Sequence, residues 1–424
     1  MSFRPPIFWL VGFLWLAVSS LAGLGLFLGV LLGKPLPSVL RLVHVHGALV
    51  GGVAQIILGA MLAFVSPLLL TGRDRPESHP LLFTAINGGA IGVVTGFAFR
   101  DYRLVAVAGI IVLLAFLSVL SDLVHQSRKS LNSPPLNLWF YGIALVALLG
   151  GLGLGEAMAL RVLPQNLFGQ GRLAHIHLNL LGFVTMTIVG TMHNLFPTIL
   201  DTRLHSPQLA RLTFWGLPAG ILALVTGFLL SQAAVQISAG AIIVVALSLY
   251  GYNILRTWLD AARPRKAASD HLLLATFFLM AASVTGILVA INALGNPPAV
   301  PFGTLHLVAY THLALVGFIL QTIMGALSHL LPITLAVSRT KSNKRRAPYL
   351  AELTALLERG RGFQVGALSL GTMGLALVAA LVWQFPLTSS PVQTAAWISA
   401  GLLLLSLVLF TGKVMLVFIR HPVE

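Results

Sequence analysis

The stretch HIHLNLLGFVTMTIVGTMHNLFP, residues 175–197, has two near-copies in the chain. They are HVHGALVGGVAQIILGAMLAFVSP at 44–67 and HLVAYTHLALVGFILQTIMGALSHLLP at 306–332. With His46, His177 and His312 as origins, glycine recurs at +5 (Gly51, Gly182, Gly317) and at +13 (Gly59, Gly190, Gly325). Proline closes each copy, as Pro67, Pro197 and Pro332. Each copy is apolar for more than the roughly 20 residues a helix needs to cross hydrocarbon. The origins stand 131 and 135 residues apart, so each repeat has room for four such helices.

Working outward, apolar runs fall near 7–32, 43–70, 80–99, 104–124, 137–160 and 174–200, then near 212–232, 234–256, 270–294, 304–336, 363–384 and 393–418. The expected fold is therefore an all-α integral membrane protein with twelve transmembrane helices in three pseudo-threefold arcs of four. It is read as one domain over 1–424, with repeats at approximately 1–130, 131–262 and 263–424. The composition agrees. The 424 residues are 57% hydrophobic and 9% charged, with mean hydropathy +0.93, whereas a soluble domain carries about 25% charged residues. The first run is too long and apolar for a signal peptide and is counted as a span.

Orientation follows from charge. With twelve spans, twenty of the 26 Lys and Arg residues share a side with both termini. The other side holds only Lys34, Arg41, Arg100, Arg103, Arg161 and Arg172. The positive-inside rule puts both termini in the cytoplasm of a bacterial or archaeal cell. The net charge of +15 is thus topological and implies no nucleic acid. One long loop, 337–362, contains AELTALLERGRGF and reads as a short amphipathic helix on the cytoplasmic surface.

Each histidine helix enters from the outer side, so His44, His46, His175, His177, His306 and His312 are expected in one outer-leaflet layer. Ionisable side chains inside a bilayer are costly and mark functional sites. Residues two apart on a helix point about 200° from each other. His44 and His46, like His175 and His177, therefore face opposite ways and suit two cofactors rather than one chelated ion. Neutral imidazole is an axial heme ligand and a common copper ligand. The absence of cysteine excludes c-type attachment and thiolate clusters but leaves non-covalent b-type heme. Glu156, in the same layer, is either a carboxylate ligand or proton relay, or a partner for Arg161 or Arg172. The glycines serve either close helix packing or room for a flat macrocycle. His193 and His329 read as interfacial, and His79, His125, His205, His271 and His421 as solvated. The tryptophans near span ends, such as Trp9, Trp139, Trp258 and Trp383, read as an aromatic belt.

The segment AHIHLNLLGFVTMTIVGTMHNLFP resembles the tenth helix of the heme-copper oxidase catalytic subunit, the cbb-type members above all. In that family a His-x-His pair binds a high-spin heme through its first histidine and a low-spin heme through its second. The repeat also resembles the NnrS type of heme- and copper-containing membrane proteins linked to nitric-oxide tolerance. The resemblance implies one or two b hemes, with copper at His175 and His177; Glu156, by its place in the same layer, is the candidate ligand for copper or a non-heme iron beside them. The resemblance further implies a diatomic gas as ligand, and a c-type cytochrome subunit or quinol as electron donor. Two pairings remain open. By position His46 and His312 flank one heme, and His175 and His177 stand at the copper site. By motif His177 pairs with His46 or His312, and His175 faces a second cofactor.

The departures are definite. The seventh span, RLTFWGLPAGILALVTGFLL, has none of the histidines that ligate copper in the family's oxidases. Tyr310 stands where the third repeat would carry its first histidine. The functions in view are a redox protein handling nitric oxide or oxygen and a non-catalytic heme- or copper-binding protein in nitric-oxide stress. A secondary transporter is the third, although transporters favour twofold repeats with broken helices at the midplane.

Overall fold

A computed structural model describes residues 4–69, 78–130, 133–261, 266–295 and 297–422. Arg73, Arg75, Arg263 and Arg265 of the charge count lie outside them. All regular structure among the described residues is helical. Twelve helices are long and apolar enough to span: α1 (Pro5–Leu31), α2 (Val39–Leu69), α3 (Pro80–Phe99), α4 (Tyr102–Lys129), α5 (Leu136–Ala159), α6 (Gln165–Leu200), α7 (Pro207–Leu229), α8 (Ala233–Leu259), α9 (Ala267–Leu294), α10 (Thr304–Arg339), α12 (Arg361–Leu381) and α13 (Ser390–Ile419). Between α10 and α12 lies α11 (Asn343–Glu358), the amphipathic helix expected in the long loop. The chain forms two compact units. One comprises Met1–Val30, Pro35–Asn194 and Pro207–Leu249, and the other Leu31–Lys34, Leu195–Ser206 and Tyr250–Glu424.

The ends of these helices follow from local chemistry. Asp101 caps α4, its Oδ1 accepting from the Arg103 and Leu104 amides at 3.0 and 3.2 Å. Gly360, at φ +64°, makes the left-handed turn from α11 into α12. The prolines of the repeat do not close their helices. Pro67, Pro197 and Pro332 lie inside α2, α6 and α10, which run on to Leu69, Leu200 and Arg339. A proline removes one hydrogen bond from a helix, and spans tolerate that where neighbouring groups re-satisfy the backbone.

The repeat glycines have one use in all three copies. A Cβ at Gly51 would stand 2.5 Å from the Trp15 ring, at Gly182 2.6 Å from the Ala147 Cβ, and at Gly317 2.5 Å from the Phe278 ring. The +13 set repeats this contact: Gly59 faces Phe8 and Trp9, Gly190 faces Phe140, and Gly325 faces Leu272. In every repeat both glycines face the span just before the histidine helix, α1, α5 or α9. Of the two uses open from sequence, close packing is the observed one. Trp9 is accordingly core rather than belt, only 1% exposed, while Trp139 and Trp383 are exposed.

In the second unit, α11 buries Tyr349, Leu353 and Leu357 on one face, spaced i, i+4, i+8, and packs on α10 and α13. The Tyr349 hydroxyl donates to the Arg420 carbonyl at 2.7 Å and accepts from Arg339 at 3.0 Å. The apolar stripe is thus spent on the protein's own spans and not on lipid.

Two outcomes are expected from this packing. Gly51→Val drives methyl groups into Trp15 and costs about 1–3 kcal/mol, read as a lowered unfolding midpoint in detergent; Gly142→Val, with open space around its Cα, leaves the midpoint within error. Leu353→Ala, at a fully buried position, costs about 2–5 kcal/mol and loosens α11. Limited proteolysis then cuts within 340–362 faster than in the parent chain.

Candidate functional site

His46, His177 and His312 share one local structure. In each, the imidazole Nδ1 lies against the carbonyl four residues earlier on its own helix: Leu42 at 2.9 Å, Leu173 at 2.8 Å and Val308 at 2.7 Å. A carbonyl can only accept, so Nδ1 carries the proton and the neutral ring keeps its lone pair on Nε2. Directly after each histidine the helix widens into eight residues of π-helix: Gly47–Ala54, Leu178–Thr185 and Leu313–Leu320. Such turns occur largely at functional sites. Three in register, each beginning one residue past a histidine, mark these helices as the candidate site of the repeat.

The pairs face opposite ways, as the 200° argument requires. His44 turns to α1, its Nδ1 donating to the Ser19 carbonyl at 2.6 Å with its ring over Gly23. His46 turns to α3, with Phe97 at 4.5 Å between ring centroids. The second repeat copies this arrangement. His175 donates to the Gly151 carbonyl of α5 at 2.7 Å and lies over Gly155, while His177 meets Phe228 of α7 at 4.7 Å. Asn179, which donates to the His175 carbonyl at 2.7 Å, fills the space over Gly151. In the third repeat Tyr310 occupies the slot of His44 and His175, its hydroxyl 2.9 Å from where a Cβ on Gly286 of α9 would be. Gly23, Gly155 and Gly286 are thus equivalent notches for the side chain two before each origin. Sequence reading missed them, although each lies 20–24 residues before its partner. It also missed Phe97 and Phe228, each 51 residues past its histidine.

Within the first unit, His175 lies in electrostatic range of His46. His46 and His177 are each half-buried and keep accessible area.

The other candidates are placed differently. The Nδ1 of His306 accepts from the Gly303 amide at 3.0 Å in the first turn of α10, which puts its proton on Nε2, and its ring stacks on Trp383 at 4.6 Å. Its wiring is that of a helix start. Glu156 lies against Gly109 of α4, and its Oε2 is buried without a hydrogen-bond partner; neither Arg161 nor Arg172 reaches it. Among the described residues, no three His, Asp or Glu side chains gather as they would around a metal ion, so His175, His177 and Glu156 do not form one ligand set. His193 packs 5.7 Å from Phe140. His271, expected to be solvated, is fully buried in the second turn of α9. There it meets Gln364 of α12 at 3.1 Å, whose amide oxygen accepts from Lys413 at 2.6 Å. Hydropathy alone placed it beside a loop; the helix extends to Ala267 and takes His271 inside.

Comparison with known proteins agrees with this picture. Residues 135–302, five spans from α5 to α9, match the family described as Cytochrome C and Quinol oxidase polypeptide I. An uncharacterized protein of Aquifex aeolicus (strain VF5) is 32% identical over 161 residues, which are 37% of this chain and 40% of that relative's length. A cryo-EM structure of a heme-copper terminal oxidase dimer superposes with TM-score 0.71 at 12% identity, covering 99% of this chain and 85% of that one. The family match covers the five central spans, under half of the chain, and the superposition at 12% identity shows a fold shared with a heme-copper terminal oxidase from end to end.

Proposed function

We propose that this membrane redox protein binds b-type heme through histidines of α2, α6 and α10, and handles a diatomic gas, nitric oxide or oxygen. The observation that carries the reading is the threefold repetition of an imidazole with its Nδ1–H held by the i−4 carbonyl, followed at once by a π-helical turn. An imidazole so held presents Nε2 in a fixed tautomer with raised basicity, which is how ligating histidines are oriented. His46, His177 and His312 would hold the heme iron through Nε2; His44 and His175, with the same tautomer fixed by carbonyls of α1 and α5, would serve as a second set. When bound, the heme would supply a reversible one-electron site and a place for the gas. The chain orients the ligands, and the apolar surroundings keep bulk water away. The donor set fits copper or non-heme iron less well, since no three ligands converge among the described residues and α7 has no histidine. In this reading both termini are cytoplasmic, as the charge bias supports, and a c-type cytochrome subunit or quinol delivers the electrons.

That same lack of a three-ligand set favours a second reading, a heme-binding protein of nitric-oxide stress that does not turn over. A reduced-minus-oxidised spectrum with a pyridine hemochrome assay tests the first claim. Sharp b-type bands are expected, with heme lost in His46→Ala, His177→Ala or His312→Ala and retained in His421→Ala. A colourless protein from heme-replete cells overturns the reading. Turnover separates the two forms: steady consumption of nitric oxide or oxygen with an artificial donor supports the enzyme, whereas a gas-induced spectral shift without consumption supports the binding protein. Metal analysis of the same sample is expected to give iron without stoichiometric copper.

A further inference from the structure

We propose that the start of α11 is a binding site for the headgroups of anionic phospholipids. Five cations, Arg339, Lys341, Lys344, Arg345 and Arg346, fall within eight residues, and the first acid after them is Glu352. What separates four of them from the other cations nearby is pairing. Arg339 is tied to the Phe418 carbonyl at 2.8 Å and the Arg420 carbonyl at 2.6 Å. Arg361 bridges Glu358 at 3.3 Å and Asp270 at 3.7 Å, and Arg420 binds Glu352. Lys413 donates to the Leu357 carbonyl and to Gln364. No acidic side chain among the described residues pairs with Lys341, Lys344, Arg345 or Arg346, and the first three of these are exposed.

Position supplies the second argument. The four cations follow directly on α10, whose last turns expose Ile333 and Val337, and they neighbour the end of α13, which exposes Leu416 and Ile419. Both helices are long and apolar enough to span, so these exposed apolar side chains suit the bilayer and the basic turn its edge. Because Tyr349, Leu353 and Leu357 hold α11 against α10 and α13, the cations are presented at fixed places and not on a loose tail. The N-terminal end of α11 adds its own partial positive charge. Basic clusters immediately beside a span attract anionic lipid by roughly a fivefold affinity gain per cation.

Native mass spectrometry of the full chain in detergent tests this, with phosphatidylglycerol and phosphatidylcholine of identical acyl chains as probes. Retention of phosphatidylglycerol over phosphatidylcholine is expected. The variant carrying Lys341→Gln, Lys344→Gln, Arg345→Gln and Arg346→Gln should lose that preference, with affinity falling by about six-hundredfold. Exchanging Lys for Arg and Arg for Lys at the same four positions should keep it. Should four replacements lower the unfolding midpoint, Lys344→Gln with Arg345→Gln, both exposed, reads the same effect at roughly twenty-fivefold. Undiminished preference in the Gln variants overturns the proposal. So does displacement of phosphatidylglycerol by inorganic phosphate at tenfold excess, which would mark a site for soluble anions.

Discussion

Hydrocarbon offers a peptide group no partner, so every span must close its hydrogen bonds within itself. The rest of this structure depends on that constraint, because it limits how a helix can be modified at a functional position. A strand, loop or break is excluded unless it lines protein or water. A π-helical turn is admissible, since it keeps the backbone helical and hydrogen-bonded within the span while changing the direction of the side chains beyond it. The chain uses this device three times, each immediately past a histidine. The imidazoles obey the same constraint, each spending its Nδ1–H on a carbonyl of its own helix or of the preceding span.

The histidine helices are positioned by contact with the span before them. Glycines at +5 and +13 bring the two backbones together, and a further glycine on the preceding span receives the side chain at −2. The third repeat keeps this frame and changes the occupant, Tyr310 for histidine, so the packing frame and the side chain it holds vary independently within one architecture. The same separation is seen at α7, which packs His177 through Phe228 yet carries no histidine of its own.

Much of this was legible in the sequence. The twelve spans follow from apolar length, and the opposed faces of His175 and His177 follow from helix geometry. The choice between packing and macrocycle space for the glycines was not legible, because both uses demand the same absent side chain. The π-turns carry little residue signature: GALVGGVA, LNLLGFVT and LALVGFIL share a leucine at their third position and a glycine at their fifth, both ordinary residues in a span. His306 looked like a member of the ligand layer because its register is close to the others. Its tautomer, set by the Gly303 amide, is a three-dimensional fact. His271 failed for a similar reason, since its burial depends on Gln364, 93 residues away.

The lengths of α2 and α6 have a further consequence. They comprise 31 and 36 residues, about 46 and 54 Å at 1.5 Å per residue, against a hydrocarbon layer of about 30 Å. His46 and His177 stand about 12 and 8 Å to the N-terminal side of the midpoints of their spans. With each span centred in the bilayer, these imidazoles are a few ångströms inside one face of the membrane's electric field. A charge arriving from that face crosses only a small part of the transmembrane potential, worth about 2.3 kcal/mol per 100 mV for the full thickness. One arriving from the opposite face crosses most of it. The depth of the histidines therefore makes voltage a participant in any charge movement to them, weak from one side and strong from the other.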